Sequence, residues 1–219
     1  MASENYEDVR SYALDDDTLE RLLAEQTELN FMWSTRDHWA VGVFMSFVWH
    51  DGRFWVTLTS QRARMRAIER DPRVSVAVTS VGTSLGPMKS ATAKGRVVIH
   101  DDDDTKAWFY PALTKRVMPD IAPVRRAFVS LLDSERRVVL EVIPEKWITF
   151  DGSKMKADTA VAMARVAMPD SVSRLSDRLG IDPEVLIQRM VSITGLDKPG
   201  GSQGPRERIA RVLRRIWHE

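Results

Sequence analysis

The feature that most constrains the fold of this chain is a series of short runs that are rich in β-branched and aromatic residues and are separated by turns. Two of these runs, residues 40–49 and 53–59, are joined by His50-Asp51-Gly52, which is typical of a hairpin turn. Similar runs occupy residues 31–34, 74–79, 88–99, 138–143 and 147–150. Strands joined by tight turns are antiparallel. The sequence therefore predicts about six antiparallel strands that curl into a β-barrel.

Helices are predicted around these strands. Asp17, with Glu20 three residues later, predicts the start of a helix that runs to about Glu28. Further helical stretches cover residues 61–70, 101–117 and 124–132. Pro111 predicts a break or kink in the second of these stretches, and Gly95 predicts a β-bulge in the strand over residues 88–99.

The composition changes after residue 156. The chain becomes rich in alanine, serine and arginine, with a helix start at Asp182-Pro183 and a stop at Gly195. After a linker rich in glycine, proline and serine, residues 206–217 predict an amphipathic helix whose arginines either face solvent or meet a partner. We therefore predict two domains, a barrel domain over residues 1–156 and a helical C-terminal extension over residues 157–219.

The composition also excludes several classes of protein. The 32 basic and 31 acidic side chains give a formal net charge of only +1, which does not support a nucleic-acid-binding protein. The sequence contains no cysteine, and this excludes disulfides, zinc–thiolate sites, iron–sulfur clusters and thiol nucleophiles. Neither a signal peptide nor a membrane-spanning run is predicted. We expect a cytoplasmic protein that binds neither nucleic acid nor membranes.

The strongest chemical signal lies at residues 57–66, where a predicted strand leads into a predicted helix. Three hydroxyl residues are followed by three arginines: Thr57, Thr59, Ser60, Arg62, Arg64 and Arg66. Backbone N–H groups at a helix start, hydroxyl donors and guanidinium groups together favour phosphate. The helix dipole disfavours arginine at this end. The arginines therefore either bind an anion or pair with acids elsewhere, such as Glu69, Asp71 or the acidic run 101–104.

The segment over residues 52–74, which contains this junction, resembles the FMN-binding split-barrel proteins, the pyridoxamine 5′-phosphate oxidase-like family. Within that family it is most similar to the flavin/deazaflavin-dependent oxidoreductases. Residues 94–97 and 136–142, followed by Trp147 and Phe150, fall in the order expected for the family. The resemblance covers about residues 18–156. It implies a mainly β (α+β) fold, a six-stranded antiparallel split β-barrel with peripheral helices, to which this chain adds a C-terminal helical extension.

The resemblance also implies an oxidoreductase that binds FMN or coenzyme F420 and transfers hydride to or from a small organic substrate. Arg62 and Arg64 would hold the cofactor phosphate. Thr57, Thr59 and Ser60 would line the strand end, and the cofactor would lie between the subunits of a homodimer. Residues 40–49 carry no basic side chain, unlike the vitamin oxidases of the family, so synthesis of pyridoxal phosphate is not expected. The absence of basic side chains from residues 40–49 and the additional charge of Arg66 favour F420. Most of the wider family favours FMN.

Other residues of the site are less closely defined. Lys89 is either a substitute cation for the cofactor or an exposed lysine at a strand end. We predict no catalytic side chain, because the cofactor ring itself carries out hydride transfer. The following tryptophans either line the site or pack in the core: Trp33, Trp49, Trp55 and Trp108.

Three other patterns indicate different functions. Residues 82–86 match the G-x-S-x-G motif of serine hydrolases with Ser84 as the nucleophile, but Pro87 and a new strand follow where that motif requires a helix. His100 and the four aspartates 101–104 offer metal ligands. Consecutive residues cannot all face one ion, so we predict a helix start there and no metal site. A non-catalytic protein that binds a cofactor or haem is the main alternative to an enzyme.

Overall fold

The computed structural model of the chain describes residues 9–167 and 169–194. Among these residues, one compact unit comprises residues 14–149 and a second comprises residues 9–13 and 150–194. The domain division at residue 156 stays a prediction. No helix in the described ranges is long and apolar enough to cross a membrane.

The first unit contains nearly all of the β structure. Its strands are β1 Glu28–Ser34, β2 Ala40–Ser46, β3 Val48–His50, β4 Arg53–Thr59, β5 Arg73–Thr79, β6 Lys89–His100 and β7 Arg137–Asp151, the last of which ends in the second unit. The helices are α1 Asp16–Glu25, α2 Ala63–Arg70, α3 Asp103–Val117, α4 Ala122–Leu132, α5 Gly152–Ala167, α6 Pro169–Leu179 and α7 Pro183–Thr194, with a short 3₁₀ helix at Val9–Tyr12.

The seven strands form one curled antiparallel sheet in the order β2-β1-β5-β6-β7-β4-β3. The two edge strands, β2 and β3, are separated in sequence by Phe47 alone. Two Cα steps span at most about 7.6 Å, so the sheet must curl until its edges meet. This confirms the predicted antiparallel barrel. The count is seven and not six because the run 40–49 pairs with β1 up to Ser46 and with β4 from Val48 onward.

The interior of the barrel is filled by alternate residues of each strand. On β4, for example, Phe54, Val56 and Leu58 belong to the buried core, whereas Trp55 and Thr57 point to the outside. Alternation follows from the two-residue repeat of a strand. It places Thr57 and Thr59 together on the outer face.

Two helices contribute apolar side chains to opposite ends of this core. Met65 and Ile68 of α2 enter it between the end of β4 and the start of β5. Leu22 and Leu23 of α1 enter it at the other end, where Gln26 Nε2 donates to the carbonyl of Thr79 at the end of β5 over 2.5 Å. The positions of α1 and α2 therefore identify the two ends of the barrel.

A second apolar cluster covers part of the outer face. Val48, Trp55 and Val139 of β3, β4 and β7 pack against α3 and α4, mainly through Phe109 and Leu132. This cluster buries the outer side of β4 and β7 next to Thr57.

Several local predictions are confirmed. The turn between β3 and β4 has positive φ at Asp51 (51°) and Gly52 (72°), with His50 and Arg53 paired, which is the hairpin geometry that Asp-Gly favours. Asp182 Oδ1 accepts a hydrogen bond from the N–H of Glu184 over 2.8 Å at the start of α7. The predicted stop at Gly195 and the helix over 206–217 lie outside the described residues.

Two helix predictions are wrong in detail. Helix α1 begins at Asp16 because Asp15 is its cap, with the carboxylate accepting from the N–H of Thr18 over 2.8 Å; it ends at Glu25. Helix α3 continues through Pro111, so the alternative of a break there is wrong, while the alternative of a kink stays a prediction. Proline removes one N–H donor, but packing of the helix stabilises it across that position, since Phe109 on its inner side is fully buried.

Two strand predictions are also wrong. The pairing of β5 with β6 is regular through Gly95, which lies opposite Val74, so no bulge interrupts this ladder. Glycine is required there because a Cβ atom would collide with the carbonyl of Ile143. The runs 138–143 and 147–150 belong to a single strand, β7.

Candidate anion site at the β4–α2 junction

The junction between β4 and α2 is fixed by pairing with β7. Thr57 lies opposite Val139 and Thr59 opposite Arg137. Beyond the end of the strand, the N–H of Ser60 donates to the carbonyl of Arg136 over 2.7 Å. The start of β7 is therefore held beside the turn that leads into α2.

Helix α2 begins without a capping side chain. Arg62 occupies the N-cap position with extended backbone angles (φ −65°, ψ 136°) and makes no side-chain cap hydrogen bond. A guanidinium group has no acceptor atom, so it cannot satisfy the N–H groups of the first turn as serine or aspartate would. The first turn thus presents N–H donors and the positive end of the helix dipole.

The three predicted arginines differ in exposure. Arg62 and Arg66 are exposed, whereas Arg64 is half-buried. The Nε atom of Arg64 is buried and has no hydrogen-bond partner among the described residues. Burial lowers the pKa of the Arg64 guanidinium below its ordinary value, and the charge of Arg62 adds to this effect. The positive charges of Arg64 and Arg62 therefore disfavour each other at the start of α2.

Two of the acids that could pair with these arginines are engaged elsewhere, and the others form no ion pair with them in the described part of the chain. Asp71 pairs with Arg73 over 2.7 Å, and Asp102 caps α3 by accepting from the N–H of Thr105 over 2.7 Å. Within residues 9–167 and 169–194, no ion pair involves the three arginines of the junction.

The hydroxyl residues are not equally accessible. Thr57 Oγ1 donates to the carbonyl of Val138 over 2.8 Å, and its side chain lies beside the hydroxyl of Tyr110 under α3. Thr59 is half-buried and Ser60 is exposed. Thr59 and Ser60 are therefore accessible and adjacent to Arg62. The hydroxyl of Thr57 is already bonded to a carbonyl of the sheet.

Lys89 lies at the other end of the barrel. It begins β6, next to the pair formed by Ser90 and Thr79, and its carbonyl accepts from the N–H of Ser80 over 2.9 Å. Thr79 lies at the α1 end of the barrel, where it binds Gln26. The structure does not bring Lys89 to the arginines of α2.

Arg137 is a basic residue of the junction to which the sequence alone assigns no role. It is half-buried opposite Thr59, and its Nε atom is buried with no hydrogen-bond partner in the described part of the chain. The pair Arg136-Arg137 at the start of a predicted strand is the available signal in the sequence. Only the pairing of β4 with β7 places Arg137 at the junction.

The four candidate tryptophans have packing roles. Trp55 is buried and its Nε1–H donates to the carbonyl of His50 over 3.2 Å. Trp108 meets Trp55 edge-on at 4.8 Å between ring centroids, and Trp49 Nε1–H donates to Glu20 over 2.9 Å. Trp33 contacts the barrel core.

The residues of the serine-hydrolase and metal patterns have structural roles. The backbone N–H and the Oγ of Ser84 both bind the carboxylate of Glu25 over 2.7 Å, and the loop that contains Ser84 joins the antiparallel strands β5 and β6 without a helix. Among the described residues, no group of three or more histidine and acidic side chains could hold a metal ion.

Comparison with known proteins agrees with this fold. The family model described as pyridoxamine 5′-phosphate oxidase matches residues 21–151, more than half of the chain. No match is found among curated proteins.

Solved structures of low sequence identity match part of this chain. The conserved hypothetical protein Rv2991 from Mycobacterium tuberculosis has a TM-score of 0.57 at 14% identity, over 66% of this chain and 89% of that chain. An F420 reductase has a TM-score of 0.46 at 23% identity, over 59% and 94%. A pyridoxamine 5′-phosphate oxidase-like protein from Listeria innocua has a TM-score of 0.48 at 15% identity, over 62% and 97%. On the family match, the chain belongs to the pyridoxamine 5′-phosphate oxidase family.

Proposed function

We propose that the protein is a flavin- or deazaflavin-dependent oxidoreductase, and that the phosphate of FMN or F420 binds at the junction of β4 and α2. The observation that carries this proposal is the half-buried Arg64, whose Nε atom has no partner among the described residues, next to a helix start that no side chain caps. Membership of the pyridoxamine 5′-phosphate oxidase family supports a cofactor of the flavin type.

A phosphate group matches the donors of this junction. Its oxygens accept from the first-turn N–H groups of α2 and from the guanidinium groups of Arg62 and Arg64, and Thr59 and Ser60 add hydroxyl donors. Its negative charge also offsets the mutual repulsion of the two arginines. Each of these interactions is stronger with a dianion than with water.

The bound cofactor would supply hydride transfer, and the protein would bind and orient it. Within this division of labour the arginines hold the phosphate end of the cofactor. The substrate is proposed to be a small organic molecule, which meets the ring and not the phosphate end.

We further propose that the protein is a homodimer that uses the outer face of β1 and β2. Phe44 on this face is 74% exposed, and it pairs with Asn30, while Gly42 pairs with Met32. The amide oxygen of Asn30 is buried without a hydrogen-bond partner among the described residues. These uncharged side chains and the unpartnered amide oxygen support the proposal that this face meets the second subunit.

The choice between the two cofactors depends on charge near the junction. Arg66 is exposed and lies one turn along α2 from the N-cap, where it is available to the acidic tail of F420. Residues 40–49 supply no second group of basic residues for FMN. We therefore propose F420 as the preferred cofactor.

The test is a titration of the purified protein with FMN and with F420, followed by fluorescence. The variant R62A/R64A should bind the preferred cofactor about 100-fold or more weakly, since each charge-assisted hydrogen bond contributes roughly 1.5–3 kcal/mol. The matched control is R21A/R126A, which removes two exposed arginines elsewhere. Undiminished binding in R62A/R64A, or no binding of either cofactor by the wild-type protein, would contradict the proposal. Cofactor binding without turnover of the tested substrates would favour the alternative of a cofactor-binding protein over that of an oxidoreductase.

A further inference from the structure

We propose that Arg137, the first residue of β7, supplies a third guanidinium group to the phosphate site, from the opposite side of the junction to Arg62 and Arg64. This inference rests on the proposed function, because it extends the same site. Its evidence is separate, since it comes from strand pairing and from the surroundings of Arg137.

Strand pairing places Arg137 at the junction. Arg137 and Thr59 are directly opposite each other in an antiparallel pair, so their Cβ atoms are about 4.5–5.5 Å apart and on the same face. Thr59 is the last residue of β4 before the turn into α2. The hydrogen bond from Ser60 N–H to the carbonyl of Arg136 prevents the start of β7 from separating from this turn. Arg137 is thus placed at the junction by backbone pairing.

The Arg137 side chain has no acceptor among the described residues. The Nε atom of Arg137 is buried and unpartnered, and no described acid forms an ion pair with this side chain. Buried polar atoms almost always have a partner, because an unmet hydrogen bond in the interior is costly. Arg64 has the same unpartnered atom. Arg116 and Arg125 also have an unpartnered Nε, but their guanidinium groups bind Gln26 and Asp120. Arg64 and Arg137 have no such partner among the described residues and lie beside one uncapped helix start, which points to an external anion.

The polar groups under α3 do not compensate the charge of Arg137. Tyr110 is the neighbouring polar group, 2% exposed, and its hydroxyl is itself unpartnered among the described residues. Burial raises the pKa of Tyr110, while the Thr57 side chain and the charge of Arg137 partly oppose this rise. A phenol that stays neutral cannot compensate a guanidinium charge. Asp133 also lies near Tyr110 but forms no ion pair with Arg137.

The arrangement has a chemical consequence. The guanidinium groups of Arg62 and Arg64 come from a helix, and that of Arg137 comes from a strand, so they approach a phosphate from two directions. A phosphate group has enough oxygens to accept from both sides. Arg137 would therefore orient the phosphate and also help to compensate its negative charge.

The test measures FMN and F420 affinity for the full-length variants Arg137→Gln and Arg137→Lys. We expect Arg137→Gln to weaken binding of the preferred cofactor about 10- to 100-fold and Arg137→Lys to weaken it less, because lysine keeps the charge and loses the fork. The control is Arg136→Gln, which removes the same charge from the exposed neighbouring residue. It should bind as the wild type does.

A second readout separates binding from a structural role. If Arg137 contacts phosphate, raising the potassium chloride concentration should weaken cofactor binding more steeply in the wild type than in Arg137→Gln. Circular dichroism tests whether the variants are folded. If Arg137→Gln is unfolded, the cofactor affinity of Arg137→Lys tests the inference instead. If the wild type binds a cofactor and the Arg137 variants bind it with the same affinity and the same salt dependence, this inference is overturned and the proposed function is not. A wild-type protein that binds neither cofactor overturns the proposed function and the inference with it.

Discussion

Two charged clusters on the outer face of β4 and β7 differ in completeness. In the first, Glu141 is 4% exposed, and its carboxylate is bound by Arg53 and by His100 Nε2, the latter over 2.8 Å. In the second, four residues earlier on β7, Arg137 lies opposite Thr59 and forms no ion pair with an acid among the described residues. Buried charges are ordinarily paired. The first cluster stabilises the fold, and the incomplete second cluster supports the proposal that a ligand binds there.

The largest effect on stability is expected from breaking the complete cluster. Glu141→Gln removes the charge that Arg53 and His100 share, and should lower the free energy of unfolding by about 2–3 kcal/mol. The value lies below that for a fully buried pair because Arg53 is 46% exposed and can be rehydrated. Urea unfolding monitored by tryptophan fluorescence measures it. A loss below about 0.5 kcal/mol would mean that the cluster is dispensable.

The incomplete cluster should respond in the opposite way. Arg64→Met keeps the apolar stem of the side chain and removes a charge that burial and Arg62 both disfavour. We expect the free energy of unfolding to stay equal or to rise by up to about 1 kcal/mol, while cofactor affinity falls about 10-fold or more. Urea unfolding and a cofactor titration on the same sample give both values. A clear loss of stability would show that Arg64 has a structural partner.

Inorganic phosphate should distinguish the two clusters without mutation. A ligand that binds only the folded state stabilises it by RT ln(1 + [L]/Kd). At a phosphate concentration ten times its Kd this amounts to about 1.4 kcal/mol. We expect phosphate to raise the thermal midpoint of the wild type and of Glu141→Gln, but not that of R62A/R64A. Potassium chloride at equal ionic strength is the control for screening, and an equal rise in all three proteins would contradict a specific site.

The sequence allowed prediction of those parts that depend on neighbouring residues. The turn at Asp51-Gly52 and the three arginines of residues 62–66 can be read directly from the chain. The pairing of Arg137 with Thr59 joins residues 78 positions apart, and no local pattern contains this register. Residue type alone makes Lys89 a candidate for the cofactor site, yet the direction of β6 places it at the α1 end. Strand pairing, which depends on packing of the whole barrel, determines such positions.

The smallest expected effect concerns an ion pair that is complete but exposed. The hydrogen bonds from Arg73 lower the pKa of Asp71 to about 2 from its ordinary value of 3.8. Because the folded-state pKa is the lower one, the stabilising contribution of the pair is present above about pH 4 and is lost as the pH falls toward 2. Asp71→Asn should remove this contribution at pH 7 and flatten the acid dependence of stability between pH 4 and 2.

The pair is open to solvent, so its contribution should be far smaller than that of Glu141. Urea unfolding of wild type and Asp71→Asn at pH 7, 4 and 3 provides the comparison, and a difference between the two proteins that stays constant across this range would show that Asp71 acts through packing and not through its charge.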